Sequence, residues 1–353
     1  MLRFALVGCG RIAKRHAEIL GNNQIEGAGL SAVCDLDVDK AASFSGKYSA
    51  PYFTDYHQMM REMGDDIDVV SILTPSGLHA RHCLDLCKYG KHLLVEKPMA
   101  LQLSDADKMI LACKKEGVKL FIVKQNRYNL PVLKLREALL DGRFGKLVMG
   151  TVRVRWCRDQ NYYDRDPWRG TWALDGGVFA NQASHHIDLL GLIMGEVESV
   201  YALSKTALVN VEVEDSGLAI LCFKSGALGS IEATTAARPK DIEGSISVLG
   251  EKGLVEIGGF AVNEIKQWNF ANSCPGDKNI DQYDQKPHDI YGFGHIDYLR
   301  DVVISILENK PEPVDGQEGR KSLRLISAIY RSIECGKEVF LSESPCSERL
   351  GVE

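Results

Sequence analysis

An apolar run from Leu2 to Val7 passes without a break into Gly8-Cys9-Gly10-Arg11-Ile12-Ala13, and no other feature of the 353-residue chain limits its fold so narrowly. The spacing is that of a dinucleotide-binding turn between a strand and a helix. Gly8 permits the tight turn, Gly10 lets the backbone approach a pyrophosphate, and Ala13 lets the helix pack closely. Arg11 and Ile12 open that helix, which is predicted to run to about Leu20 and whose free N–H groups and positive dipole end suit phosphate. A second apolar run, Leu30 to Cys34, ends in Asp35, where a carboxylate binds both ribose hydroxyls of an adenosine. No arginine follows to neutralise a ribose phosphate, which favours NAD over NADP. Asp37 competes for the role, since either aspartate fits as the cap of a helix beginning near Val38.

Strands and helices then alternate. Asp68 to Leu73 reads as a strand closed by Thr74-Pro75-Ser76, a helix from about Leu78 to Lys88 includes His79, and Leu93-Leu94-Val95 forms a strand ending in Glu96-Lys97-Pro98. A helix from about Ser104 to Glu116 leads to the strand Leu120 to Val123 and then to Lys124-Gln125-Asn126-Arg127. This alternation predicts a doubly wound parallel sheet of the Rossmann type, with its ligand crevice beyond the carboxyl ends of the strands. Lys97 is delivered to that crevice on a rigid element; the competing reading makes Glu96 and Lys97 polar strand ends facing water.

From about Lys146 strands follow one another without helices between them: 147–156, 197–203, 217–223, 227–234, 245–249 and 254–257. This pattern predicts an α+β domain with a large, mostly antiparallel open sheet. Val152, Val154 and Trp156 alternate with Arg153 and Arg155, giving one strand an apolar and a basic side. An apolar uncovered face would be buried by an isologous oligomer. The segment 272–288 reads as an exposed loop, and two helices are expected at 294–308 and 317–334, returning to pack on the body. The length suits two domains, placed at 1–125 and 126–353.

The net charge of -6 argues against a nucleic-acid partner. No apolar run is long enough for a membrane span, and the first residues enter a strand with no leader, so a cytoplasmic protein is expected. The ten cysteines lack framework spacing, and Cys34, Cys113 and Cys222 stand in apolar stretches as core thiols do. Cys83 and Cys87 with His79 and His82 could be imagined as a metal set on one helix, but packing is the better account and no metal is expected.

The other informative stretch is Asp175-Gly176-Gly177 through His185-His186-Ile187-Asp188. A glycine pair leads into a helix on which Asn181, His185 and Asp188 share a face. His185 is the expected proton carrier, since imidazole titrates near neutral pH and hydride removal from an alcohol also requires loss of its proton. One of His185 and His186 is expected to be purely structural. Asp188 either orients an imidazole or is a helix-surface charge.

Taken together, Gly8-x-Gly10-x-x-Ala13, Thr74-Pro75 with His79, Glu96-Lys97-Pro98 and the stretch ending in His185-x-x-Asp188 resemble the Gfo/Idh/MocA family of oxidoreductases, over essentially the whole chain. The resemblance implies a bound nicotinamide cofactor held by Gly8, Gly10, Arg11, Ile12, Ala13, Asp35, Thr74, Pro75, His79, Glu96, Lys97 and Gln125, a polyol or sugar substrate, and catalysis by Lys97 and His185. One departure stands out. The family often has aspartate at the position of Asn181, and an amide cannot hold the charge that stabilises imidazolium.

Val123 to Asn129, Arg153 to Arg158, Trp168 to Trp172 and Asn181 to His186 resemble more narrowly the UDP-N-acetylglucosaminuronate 3-dehydrogenases of bacterial surface-polysaccharide (O-antigen) synthesis. That resemblance implies oxidation of a sugar 3-hydroxyl by NAD and substrate contacts from Lys97, Asn126, Arg127, Arg158, Tyr163, Trp168, Arg169, Asn181, Ser184 and His185. It also implies a homotetramer, recycling of NADH by 2-oxoglutarate, and an aminotransferase acting on the product. Independently, five arginines stand between Thr151 and Gly170 in an acidic chain, and guanidinium suits carboxylate and phosphate. About half are expected to pair with Asp159, Asp164 and Asp166 instead. A free-polyol dehydrogenase and a non-catalytic dinucleotide-binding regulator are the competing readings.

Overall fold

The computed structural model describes residues 1–286 and 292–352. Two compact units divide the chain: Met1–Lys124 with His295–Arg320, and Gln125–Gly294 with Lys321–Glu353.

The first unit is built on a six-stranded sheet: β1 (Leu2–Val7), β2 (Ala28–Cys34), β3 (Tyr52–Phe53), β4 (Val69–Ile72), β5 (His92–Val95) and β6 (Leu120–Ile122), in the order β3-β2-β1-β4-β5-β6. All its pairs are parallel, and this is the dinucleotide-binding strand order. Every residue of β4 and β6 is buried, as a sheet covered on both faces requires, which is why these strands read as unbroken apolar runs. The covering helices are α1 (Arg11–Gly21), α2 (Val38–Tyr48), α3 (Tyr56–Met63), α4 (His79–Leu86) and α5 (Leu103–Glu116). Asp37 caps α2, accepting from Asp39 and Lys40 N–H, which leaves Asp35 for the crevice.

The second unit carries an eight-stranded sheet: β7 (Leu147–Arg155), β8 (Val197–Lys205), β9 (Ser216–Phe223), β10 (Leu228–Thr234), β11 (Glu243–Gly250), β12 (Gly253–Gly258), β13 (Glu264–Phe270) and β14 (Val339–Phe340). Its order is β13-β12-β11-β7-β10-β9-β8-β14, and every pair is antiparallel except β10 with β7. The sequence reading missed β13, which mixes charge with Trp268 and Phe270, and the two-residue β14. Its helices are α6 (Leu130–Leu140), α7 (Gln160–Asp164) and α8 (Ser184–Met194). Gly150 of β7 stands where a side chain would overlap Met194, so α8 lies directly on the inner face of the sheet beside Val152 and Val154.

The outer face is mixed. Leu203, Leu218 and Ile220 are each more than half exposed, with Met149 and Leu228 close behind, and Cys222 lies there rather than in the core. Beside them, Arg155 pairs with Glu232 and Glu243, and Arg153 with Glu243 and Glu256.

Two helices complete the chain, α9 (Gly294–Leu307) and α10 (Gly316–Cys335). Within the first unit, Tyr298 Oη donates to Ile122 C=O at 2.7 Å and Ile122 N–H to Val314 C=O at 3.0 Å, closing the edge of β6. The 272–288 segment is not a plain loop. It holds a 3₁₀ stretch, Pro275–Tyr283, and its last two residues lie outside the described part.

Candidate active site

In the first unit the turn after β1 is formed by two glycines with different duties. Gly8 has φ +100° and its missing Cβ would stand 2.8 Å from the Leu73 backbone, so only glycine fits. A Cβ added at Gly10 would meet nothing within 4 Å, an open approach of the kind a pyrophosphate needs beside the first N–H groups of α1. Arg11 is exposed at the first position of α1, Ile12 is half-buried and Ala13 is buried. Asp35 accepts Cys9 N–H at 2.6 Å and Asp37 N–H at 2.9 Å, which fixes its carboxylate beside the glycine turn. These features fit a dinucleotide.

At the next strand ends, Thr74 Oγ1 meets His82 Nδ1 at 2.9 Å, and Thr74 and Pro75 are half-buried. His79 is buried, its nitrogens 2.8 Å from Pro98 C=O and from Thr74 C=O. It therefore ties the Thr74-Pro75 turn to the Lys97-Pro98 turn, where the peptide is cis. Burial pushes its pKa down, and a neutral ring satisfies one carbonyl at a time. Glu96 points inward and is buried, whereas Lys97 is half-buried at the end of β5. Of the imagined metal set, Cys83 packs against Cys113 with sulfurs 3.7 Å apart, and His79 and His82 have the partners just given.

The second unit begins with the buried Gln125 and Asn126. Gln125 Oε1 is buried with no hydrogen-bond partner among the described residues. His185 stands in the first turn of α8, but the turn before it, Val178–Gln182, is a π-helix, with Ala183 N–H bonded to Val178 C=O at 2.8 Å. Asn181 thus precedes His185 across a widened turn rather than an α-helical one, a distortion common at functional sites.

Two groups far off in sequence hold that turn. Tyr330 Oη accepts Gly177 N–H at 3.0 Å and Ala180 N–H at 3.3 Å, and donates to Glu214 Oε1 at 2.8 Å. Glu214 Oε1 also accepts Phe179 N–H, and a Cβ at Gly177 would fall inside the Glu214 carboxylate, which explains the second glycine. Glu214 Oε2 is buried with no hydrogen-bond partner among the described residues, and burial pushes this carboxyl up to about 7. The ordinary value is near 4.5, so the stability this group supplies is full below that pH and is lost as pH rises through about 7, by roughly 3 kcal/mol. Urea unfolding of wild type and Glu214→Gln across that range is expected to show the variant gaining on wild type as pH rises. A pH-independent difference counts against it.

Asn181 has a carboxylate beside it. Its amide donates to Asp175, whose other oxygen accepts Gly170 N–H at 2.7 Å, so a buried carboxylate persists beside the position where the family's aspartate is replaced. Asn181 Oδ1 accepts from Gln182, which also donates to Tyr162 Oη, and Tyr162 accepts from Arg169 at 2.6 Å. Ser184 is buried with its hydroxyl on Asn181 C=O, and Tyr163 is buried with its hydroxyl 3.1 Å from Thr235 Oγ1. His186 is fully buried with its ring edge-on to Trp156.

The arginines pair, but of those between Thr151 and Gly170 only Arg169 is bonded to one of the aspartates expected for them. Arg158 bonds Asp241 at 2.9 Å, Arg169 bonds Asp166 at 2.8 Å while stacking 4.4 Å over the half-buried Trp168, and Arg153 and Arg155 lie on the outer sheet face. Arg127 makes a two-pronged bond to Asp188, at 2.7 and 2.8 Å. Asp188 is therefore a buried charge, not a helix-surface one. Asp175, Gln182, Glu214 and Tyr330 were missed from the sequence; only the second glycine of the pair signalled the close approach of Glu214.

Comparison with known proteins agrees with this geometry. Residues 2–124 match the oxidoreductase family with NAD-binding Rossmann fold, and residues 132–256 the GFO/IDH/MocA C-terminal domain. The myo-inositol 2-dehydrogenase of Thermotoga maritima is 30% identical over 97% of this chain and 99% of its own. The WlbA dehydrogenase from Bordetella pertussis, solved with NADH and UDP-GlcNAcA, is 41% identical with TM-score 0.91, covering 96% of this chain and 97% of that one. Its counterpart from Chromobacterium violaceum, solved with the same ligands, is 42% identical with TM-score 0.89, covering 96% and 95%. With a dinucleotide turn at one set of strand ends, a histidine-bearing helix in the second unit and likeness along its whole length, the chain belongs to the Gfo/Idh/MocA family of NAD-dependent oxidoreductases.

Proposed function

We propose that the protein oxidises the 3-hydroxyl of UDP-N-acetylglucosaminuronic acid to the ketone, in the synthesis of a bacterial surface polysaccharide. The observation that carries this reading is the whole-length likeness to two dehydrogenases solved with NADH and UDP-GlcNAcA. NAD, when bound to the first unit, supplies the hydride acceptor. Lys97 binds and polarises the reacting hydroxyl, and His185 takes its proton. Asn126, Tyr163, Ser184 and Asn181 orient the sugar, and Arg127, Arg158, Trp168 and Arg169 face the acidic nucleotide sugar. The arginines keep their cationic faces although each is also bonded to an aspartate.

The outer face of the eight-stranded sheet, with its apolar Leu203, Leu218 and Ile220, supports assembly through like surfaces into a homotetramer. A cytoplasmic setting agrees with ten unpaired cysteines. A keto sugar is the substrate an aminotransferase requires, and 2-oxoglutarate would reoxidise retained NADH.

The test is reduction of NAD, followed by absorbance, with UDP-N-acetylglucosaminuronic acid, its neutral UDP-sugar and myo-inositol in parallel. The expected result is reduction by the uronate with the ketone at carbon 3. Reduction by myo-inositol alone would establish the polyol reading, which the Thermotoga relative supports. Reduction by none of the three, in protein that holds NAD, would favour the regulator.

A further inference from the structure

Helix α1 turns a buried face toward the sheet, made of Ala13, His16, Ala17, Ile19 and Leu20. One member is out of place. His16 is wholly buried among apolar neighbours, where an imidazole is retained only if something needs its N–H. That partner is Glu96: His16 Nε2 lies 3.0 Å from Glu96 Oε1. The same oxygen lies 3.5 Å from Nε2 of His295, which is also wholly buried, near the start of α9, with its ring edge-on to that of His16. The second oxygen of Glu96 accepts the backbone N–H of Lys97 at 3.1 Å. Burial alone would raise the Glu96 carboxyl, but the His16 bond and the His295 ring lying beside the same oxygen outweigh it and hold the group well below the usual carboxylate range.

We propose that His16 and His295 are positioning residues for Lys97: together they lock the Glu96 carboxylate, whose other oxygen holds the Lys97 N–H and so fixes the direction in which β5 delivers the amine. This rests on the reading of Lys97 as the group that binds the reacting hydroxyl. The arrangement joins three segments of the first unit that are distant in sequence: the helix that opens on the dinucleotide turn, the strand end bearing the amine, and α9. A carboxylate with only one donor would rotate to gather others, and the first bond within its reach to be lost is the one to Lys97. One nitrogen or oxygen from each of the three side chains also lies within 4.8 Å of the others, a spacing a divalent cation accepts. The hydrogen-bonded reading is preferred because it gives both carboxylate oxygens a partner already present in the chain.

The experiment uses the full-length enzyme and compares His16→Leu and His295→Leu with His16→Gln and His295→Gln. Glutamine keeps an N–H at nearly the reach of imidazole Nε2. The leucine variants are expected to lose kcat by about 100-fold, the cost of a small misplacement of a reacting group, with NAD affinity within about threefold of wild type. The glutamine variants are expected to recover most of that loss. Wild-type kcat in the leucine variants, equal losses with leucine and glutamine, or NAD affinity falling in step with kcat would each overturn the proposal. So would stoichiometric zinc in the purified protein by elemental analysis. Should a leucine variant fail to fold, the near-isosteric Glu96→Gln decides: it can no longer accept on both oxygens, and undiminished kcat there overturns the proposal. Lys97→Met run alongside separates the two failures. Turnover retained in that variant removes the lysine reading and the proposal with it, whereas inactive Lys97→Met beside fully active leucine variants removes the proposal alone.

Discussion

Lys97→Met is expected to lose turnover by about 10²- to 10⁴-fold while still binding NAD with affinity within a few-fold of wild type. Methionine keeps the unbranched stem and approximate length of lysine, so packing at the half-buried end of β5 changes little. On the proposed mechanism, what disappears is the ammonium that donates to the reacting oxygen and steadies the charge developing on it. The Gly8 turn, the open approach at Gly10 and the Asp35 carboxylate lie on other elements and are untouched, which is why cofactor affinity should hold. Single-turnover reduction with saturating sugar, set beside equilibrium NAD binding, makes the comparison. Equal losses in both would assign Lys97 to cofactor binding, and no loss in either would remove it from the site.

The second large effect falls on stability. Removing one partner of the Arg127–Asp188 pair, as in Arg127→Leu, is expected to destabilise the protein by about 3–5 kcal/mol. The Asp188 side chain is only 3% exposed and would be left as an uncompensated charge in the second unit. The double variant Arg127→Leu/Asp188→Leu should regain much of the loss, because the cost comes from stranding a charge rather than from losing a net attraction. The Arg155–Glu232 pair on the outer sheet face, where Arg155 is 38% exposed, supplies the control: Arg155→Ala should cost no more than about 1 kcal/mol in the isolated subunit. Urea midpoints measured on the set distinguish these cases, and a small loss in Arg127→Leu would mean that water reaches Asp188.

The sequence foretold β1, β2, β4, β5 and β6 of the first unit, though not the short β3 or α3, because their cues are local. A parallel sheet covered on both faces must be written in short apolar runs, and the turn from β1 to α1 must be written in glycine, so Val69–Ile72 and Gly8 announce themselves within a few residues. Much of the second unit was legible for the same reason, since strict alternation in Val152-Arg153-Val154-Arg155 identifies a half-covered strand. What escaped is non-local. Nothing near Glu214 says that it will lie against Gly177, and nothing near Tyr330 says that its hydroxyl will close two amides in a π-helical turn. The arginine-rich stretch misled in part because charge type is local but pairing is not: Arg158 finds Asp241, and Arg127 finds Asp188. Glu96 reads from sequence as a ligand-facing partner of Lys97, and its inward direction is legible only once His16 and His295 are seen beside it.

The return of His295–Arg320 to the first unit bears on how the molecule comes into being. A ribosome releases Met1–Lys124 first, yet the N–H and C=O of Ile122 must wait for Val314 and Tyr298, which are made only after nearly all of the second unit has emerged. The nascent dinucleotide unit therefore carries an open strand edge through most of synthesis, with both histidines' hold on Glu96 incomplete until α9 arrives. The setting of Lys97 would thus come late in biogenesis, once α9 has been made, whereas the glycine turn and Asp35 that await the dinucleotide are made early.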